Sequence, residues 1–160
     1  MSNVTTKLIW QSGLQFTGVN AGGHETIIDG DKQAGPSPVE LLLEALGACA
    51  AIDVVMILEK SRTPATRLEV TLSGARHEPE PRYFTDAQVR FDIWGAGIRP
   101  ETTARAIQLS FTKYCSVYHS LRGDLKLQPE FRLHAPEAEA VGAYTVVEMG
   151  VPTGELSEPA

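Results

Sequence analysis

The sequence predicts an α+β fold, and two observations lead to this prediction. Short segments rich in β-branched and aromatic residues occur in runs, and only two segments have the pattern of long helices. The resulting element order is βββ-α-ββ-α-β. Because the strands are grouped instead of alternating with helices, antiparallel pairing is favoured over a doubly wound parallel sheet.

The size and composition of the chain indicate one globular domain over residues 1–160. The 160 residues are 42% hydrophobic and 21% charged, which suits a chain that buries a core. A formal net charge of −6 gives no general attraction to nucleic acid or to an anionic membrane, so neither is expected as a partner. The N-terminus lacks the basic start and apolar stretch of a secretion signal, and we expect a cytoplasmic protein.

The first predicted elements are three short strands joined by glycine-containing turns, as in a meander: residues 4–10, 14–19 and 25–29. The helix that follows has a clear start. Ser37, Pro38 and Glu40 match a capping box with proline at the first helical position. We expect this helix to run to Lys60, since Pro64 prevents much further extension.

The first helix is apolar nearly all round, which is typical of a helix surrounded by protein. One predicted stripe contains a cysteine: Leu42, Ala45, Leu46, Cys49, Ile52 and Met56. The small residues from Gly47 to Ala51 would let another element approach closely at the level of the Cys49 thiol.

Two strands and a second helix are predicted next. Residues 67–77 and 86–94 alternate between apolar and polar side chains, as half-buried strands do. The second helix is expected to begin at Pro100 and to be closed by Gly123, with Cys115 on its apolar stripe.

The C-terminal part contributes one more clear strand. Residues 126–134 have a strand pattern, and in the tail over residues 134–160 only the stretch 144–148 has strand character.

The two cysteines are the strongest functional signal. If the two helices pack together, the thiols of Cys49 and Cys115 meet in a shielded place. In a reducing cytosol such a pair is more typical of free thiols or of a transient catalytic disulfide than of a structural staple. Free cysteine is also among the most buried residue types, so two core thiols without chemistry are an alternative.

A zinc site is a further alternative. Asp53 follows Cys49 by four residues and His119 follows Cys115 by four, so each pair shares one face of its predicted helix. Two sulfurs, a carboxylate and an imidazole form a set that zinc accepts. No CxxC or HxxxH motif supports this set, and we predict no metal. His119 is otherwise a helix-end residue or a hydrogen-bond partner near Cys115.

One motif and the element order resemble the OsmC/Ohr superfamily of osmotically induced and organic-hydroperoxide-resistance proteins. The motif is Gly-Pro-Ser-Pro-Val-Glu-Leu-Leu-Leu-Glu-Ala-Leu-Gly-Ala-Cys-Ala-Ala-Ile-Asp-Val-Val at residues 35–55, supported by Lys-Tyr-Cys-Ser-Val at 113–117. The resemblance covers residues 4–134 and is closest to the less characterised OsmC-like branch. It implies antiparallel sheets wrapped around two long central helices in an intertwined homodimer, with the sites near the subunit interface.

The resemblance also implies residue roles. Carried over, the first thiol of the family, which attacks the peroxide, is Cys49, and the second, which resolves it, is Cys115. Family peroxidases also use an N-terminal arginine and a glutamate ten residues before the first cysteine. Here no arginine precedes Arg62, position 39 is Val39, and Glu40 is one residue later.

The expected function is therefore a thiol-dependent peroxidase that reduces organic hydroperoxides in oxidative-stress defence. It would need no bound cofactor, because an external dithiol would reset the Cys49–Cys115 disulfide. The cation that activates the thiolate would come from the second helix or its flanks: Arg99, Arg105, Lys113 or Arg122. The alternative is a non-catalytic dimer that binds a small hydrophobic ligand in its interface pocket.

Overall fold

Residues 3–150, which the computed structural model describes, contain helices and strands in the following order. The elements are β1 (Thr6–Ser12), β2 (Gln15–Asn20), β3 (Glu25–Asp29), α1 (Pro38–Lys60), β4 (Arg67–Arg76), β5 (Phe84–Trp94), α2 (Pro100–Leu109), a π-helical turn (Ser110–Tyr114), α3 (Ser116–His119), β6 (Lys126–His134) and β7 (Thr145–Val146). The chain separates into two units, and the boundary lies within α1 between Ala45 and Leu46. A single domain over residues 1–160 stays a prediction.

The first unit contains the predicted meander. Strands β1, β2 and β3 pair antiparallel in chain order. The loop after β3 is organised by Asp29, whose carboxylate accepts N–H hydrogen bonds from Asp31, Gln33 and Ala34 at 2.9, 3.1 and 3.0 Å. These bonds, with that from Ala34 the strongest, lower the pKa of Asp29. The loop that leads from β3 to the start of α1 therefore has a fixed conformation.

The predicted capping box starts α1. The Ser37 N–H and hydroxyl both donate to Glu40 Oε2, at 2.8 and 2.7 Å. Lys32 Nζ lies 2.8 Å from the other carboxylate oxygen of Glu40. The hydrogen bond from Lys32, followed by those from Ser37, lowers the pKa of Glu40 to about 2. Glu40 is thus a helix-capping residue that is also held by a lysine.

The second unit is built on a mixed sheet in the order β4-β5-β6-β7. β4 and β5 pair antiparallel, but β5 and β6 are parallel, which corrects the prediction of wholly antiparallel sheets. The reason is the connection: after β5 the chain passes through α2 and α3 before β6. A crossover of that length returns the chain in the same direction, whereas a short hairpin reverses it.

One stripe of α1 is part of the core of the second unit. Leu46, Ala50, Val54 and Leu58 are fully buried and recur every four residues. Gly47 lies beside this stripe, and a Cβ added there would stand 2.5 Å from Leu72 Cδ1 of β4. The absence of a side chain at Gly47 therefore lets β4 approach the helix, as the small residues predicted.

The opposite face of α1 is exposed in a single chain, so the prediction that protein surrounds this helix stays a prediction for the dimer. Ile52 and Met56 are 60% and 48% exposed, although both are apolar. By length and composition α1 would also suit a membrane span, a test that core helices of soluble proteins pass as well. Within residues 3–150 of one chain, no other segment covers this face of α1.

The predicted second helix from Pro100 to Gly123 is not continuous. α2 ends at Leu109, the next five residues form the π-helical turn, and Cys115 has extended backbone angles (φ −68°, ψ 94°) before the single turn of α3. Cys115 therefore lies at a break between helices and not on a helical stripe. The prediction of two long helices is wrong for this segment.

A buried polar cluster fixes the C-terminal segment to the second sheet. The Asp92 carboxylate accepts hydrogen bonds from Arg132 Nε at 2.7 Å, His134 Nε2 at 2.8 Å and the Tyr144 hydroxyl at 2.7 Å. Burial opposes ionisation of Asp92, but the hydrogen bonds and the charge of Arg132 outweigh it and lower its pKa to about 2. The parallel register places Asp92 beside Arg132, so the topology itself creates the pair.

We expect Asp92→Asn to lower the free energy of unfolding by about 2 kcal/mol at neutral pH, since the depressed pKa of the carboxylate contributes stability. This contribution is present above the ordinary pKa of 3.8 and is lost as the pH falls towards 2. Urea unfolding at several pH values measures it. The matched control is Asp124→Asn, because Asp124 also binds an arginine through two oxygens but is 66% exposed. Equal losses in the two variants would contradict the prediction.

Candidate functional site

Cys115 is held by the backbone around the helix break. Its N–H donates to the Ser110 carbonyl at 2.8 Å, the five-residue spacing that defines the π-helical turn. Its Sγ accepts a hydrogen bond from the Tyr118 N–H at 3.4 Å. The side chain is fully buried. The break therefore directs the Cys115 thiol into the interior of the second unit and not towards solvent.

The structure brings Cys49 and Cys115 together. Burial raises the pKa of the Cys115 thiol to about 12, and the neighbouring Cys49 side chain adds to the increase. Neither cysteine is in a disulfide, and Cys49 is only partly buried. Cys115 thus keeps its proton at neutral pH, whereas Cys49, at the edge of the buried stripe of α1, is the thiol with access to the surface.

Asp53 belongs to the same group of side chains. It lies one helical turn after Cys49, and its Oδ2 accepts a hydrogen bond of 2.7 Å from the Ser110 hydroxyl. The carboxylate is close enough to Cys115 to contribute to the increase of its pKa, after burial and Cys49. α1 and the π-helical turn are therefore joined by a polar contact next to the thiols.

Glu40 and His119, the two other candidate site residues, lie in different surroundings. The carboxylate of Glu40 is occupied by its cap and by Lys32 in the first unit. His119 is exposed at the end of α3, where its ring packs edge-on against Tyr118 with centroids 5.6 Å apart. Its link to Cys115 is through the backbone, since the His119 N–H donates to the Cys115 carbonyl at 3.1 Å.

The alternative zinc site is not formed. Within residues 3–150, no three side chains of the types His, Cys, Asp and Glu are grouped as a metal site requires. Cys49, Cys115 and Asp53 are neighbours, but His119 ends a separate turn and faces Tyr118. The reason is burial: Cys115 is buried at the start of α3, whereas His119 is exposed at its end.

Two of the candidate cations are engaged elsewhere. Arg122 binds Asp124 and lies 4.0 Å from the centre of the Tyr83 ring. Lys113 is exposed and lies over the ring of Tyr114 at 5.3 Å. The groups with the largest effect on the pKa of Cys115 include no cation.

Comparison with known proteins identifies the family. The model of the OsmC-like protein family matches residues 29–130, more than half of the chain. The chain belongs to the OsmC-like family. Protein YhfA of Escherichia coli K12 is 44% identical over 109 residues, which are 68% of this chain and 81% of YhfA.

Solved structures have a similar fold. A hypothetical protein from Aquifex aeolicus VF5 superposes with a TM-score of 0.77 at 26% identity, covering 86% of this chain and all of the other. An organic hydroperoxide resistance protein, OsmC, from Legionella pneumophila superposes with a TM-score of 0.58 at 12% identity, covering 82% and 97%. The predicted resemblance to the OsmC/Ohr superfamily is confirmed.

Sequence reasoning missed two residues at these sites. One is Ser110, because a serine within a continuous helical pattern gives no signal of a tertiary hydrogen bond. Lys32 was missed because its ion pair with Glu40 depends on the path of the loop around Asp29. Asp53, which its spacing places on one helix face with Cys49, lies beside both thiols.

We expect mild oxidation of the folded protein with diamide to join Cys49 and Cys115 within one chain, since their side chains are already neighbours. Mass spectrometry should show a loss of two hydrogens per chain, and neither Cys49→Ser nor Cys115→Ser should show it. A product that forms only between chains, or only in denaturant, would contradict the observed juxtaposition.

Proposed function

We propose that the protein is a thiol-dependent peroxidase that reduces organic hydroperoxides with Cys49 and Cys115. The observation that carries the proposal is the neighbouring pair of free thiols in which one is buried and protonated and the other is partly accessible. Membership of a family that includes organic hydroperoxide resistance proteins supports it.

The proposed reaction starts at Cys49. Its thiolate attacks the O–O bond, the alkoxide leaves and takes a proton to become an alcohol, and Cys49 becomes a sulfenic acid. Cys115 cannot compete for the peroxide, because it is buried and holds its proton. The division of roles implied by the family resemblance thus has a physical basis in this chain.

Cys115 then completes the cycle. Its sulfur displaces hydroxide from the Cys49 sulfenic acid, the proton from Cys115 converts that hydroxide to water, and a disulfide forms. An external dithiol reduces the disulfide by thiol exchange, so no bound cofactor is required. We place this cycle in the cytoplasm, where reducing systems keep such thiols free.

The exposed apolar surface supports a homodimer as the working form. The uncovered face of α1 carries Leu42, Ile52 and Met56, and the first sheet exposes Leu8 and Trp10. A monomer seldom leaves so many large apolar side chains in water. A second copy of the chain would cover them and would shield the neighbourhood of Cys49.

Peroxide consumption tests the activity. With cumene hydroperoxide and a dithiol, we expect wild-type turnover, no turnover above background for Cys49→Ser, and slower turnover for Cys115→Ser, because its sulfenic acid must react directly with the external dithiol. The Cys49→Ser protein with intact far-ultraviolet circular dichroism serves as the folded control. Absence of both turnover and sulfenic acid in wild type would overturn the peroxidase and leave the ligand-binding dimer.

Light scattering after size exclusion tests the dimer. We expect twice the chain mass for wild type and the single-chain mass for Ile52→Glu, since a charge on the buried centre of an interface is costly. Val146→Glu is the matched control, because Val146 on β7 is also 60% exposed. A monomeric wild type, or a dimer that both variants preserve, would contradict the proposed interface.

A further inference from the structure

One hydrogen bond joins the two segments that carry the thiols. The Ser110 hydroxyl, in a fully buried residue, donates to Asp53 Oδ2 at 2.7 Å. The Ser110 carbonyl at the same time accepts the Cys115 N–H at 2.8 Å. Ser110 therefore ties the backbone of Cys115 to a side chain of α1. Because Asp53 lies one turn from Cys49, this connection also fixes the approach of one thiol to the other.

The charge on Asp53 is the second element of the arrangement. It favours the protonated form of Cys115, adding to the larger effects of burial and of Cys49. The ionisable groups in the segment of Cys115 itself are directed elsewhere: Lys113 lies over Tyr114, Tyr118 packs against Phe111, and His119 packs against Tyr118. Asp53 and Cys49 are thus the groups of α1 that act on Cys115.

We propose that Asp53 and Ser110 are positioning residues for disulfide formation: their hydrogen bond sets the distance between the thiols, and the Asp53 charge slows the reaction of Cys115. This inference rests on the proposed function, since it concerns the second step of that cycle. The roles implied by the family resemblance include neither residue.

The chemical consequence is an ordered reaction. Burial and its neighbours in α1 keep Cys115 a thiol, so peroxide meets only Cys49. Once Cys49 carries a hydroxyl on sulfur, the Cys115 sulfur forms the S–S bond, the S–OH bond breaks, and the Cys115 proton leaves with the hydroxide as water. The two electrons that reduce the peroxide come from the thiol pair, and the external dithiol later replaces them.

The experiment uses diamide, which oxidises thiol pairs without any peroxidase activity. The full-length protein is oxidised across the neutral to alkaline range, quenched with iodoacetamide, and the rate of disulfide formation is read by mass spectrometry. Asp53→Asn keeps an oxygen that accepts from Ser110 but removes the charge. We expect its pH profile to move to lower pH and its neutral-pH rate to rise by about threefold or more.

Ser110→Ala tests the other half of the proposal. It removes the hydrogen bond and leaves the charge, so we expect disulfide formation to slow at every pH while the profile keeps its midpoint. Ser120→Ala is the matched control, because the Ser120 hydroxyl bonds only locally to the Ser116 carbonyl at 2.7 Å, and it should behave as wild type.

Defined results would overturn the inference. An Asp53→Asn protein with the wild-type pH profile would exclude the effect of the charge, and a wild-type rate in Ser110→Ala would exclude positioning. If Asp53→Asn does not fold, Asp53→Glu replaces it. That variant keeps the charge but displaces the carboxylate. The midpoint of its pH profile should therefore equal that of wild type, and its rate of disulfide formation should be lower. A wild-type protein that forms the disulfide with diamide but does not consume hydroperoxide would instead overturn only the proposed function.

Discussion

The burial of one stripe of α1 is the constraint on which the second unit and its site depend. Leu46, Ala50, Val54 and Leu58 enter the core at intervals of four residues, and Gly47 lets β4 come close beside them. Once this stripe is fixed, the rotation of the helix is fixed as well. Cys49 and Asp53, each one position before a buried alanine or valine, are then placed at the edge of the core where they meet Cys115 and Ser110.

Local sequence signals were sufficient for most of the secondary structure. The capping box located the first residue of α1, and the strand at residues 126–134 was found with both ends correct, because apolar alternation and flanking polar residues act over short distances. The parallel pairing of β5 with β6 was not predicted, since pairing direction depends on where a crossover returns the chain and not on either strand alone.

The site was predictable in part. The two cysteines could be proposed as a pair, because both had apolar neighbours and a family motif contained them. The break before Cys115 could not be found, since Phe111 and Cys115 keep the four-residue spacing of an ordinary helix. In the π-helical turn a backbone N–H bonds to the carbonyl five residues earlier instead of four. This change of backbone bonding has no signature in the types of side chain. Tyr114, the residue before Cys115, is 49% exposed.

The cluster around Asp92 also bears on where this unit ends. β6 finishes at His134, and a chain cut there would contain the antiparallel hairpin, the crossover and the parallel partner. Yet Tyr144 supplies a hydrogen bond to Asp92, the Ala138 carbonyl accepts from the Trp94 indole at 2.7 Å, and Val147 is buried. A chain cut after His134 would therefore leave the Asp92 carboxylate and the Trp94 indole N–H without these partners, so the segment after β6 is an integral part of the second sheet.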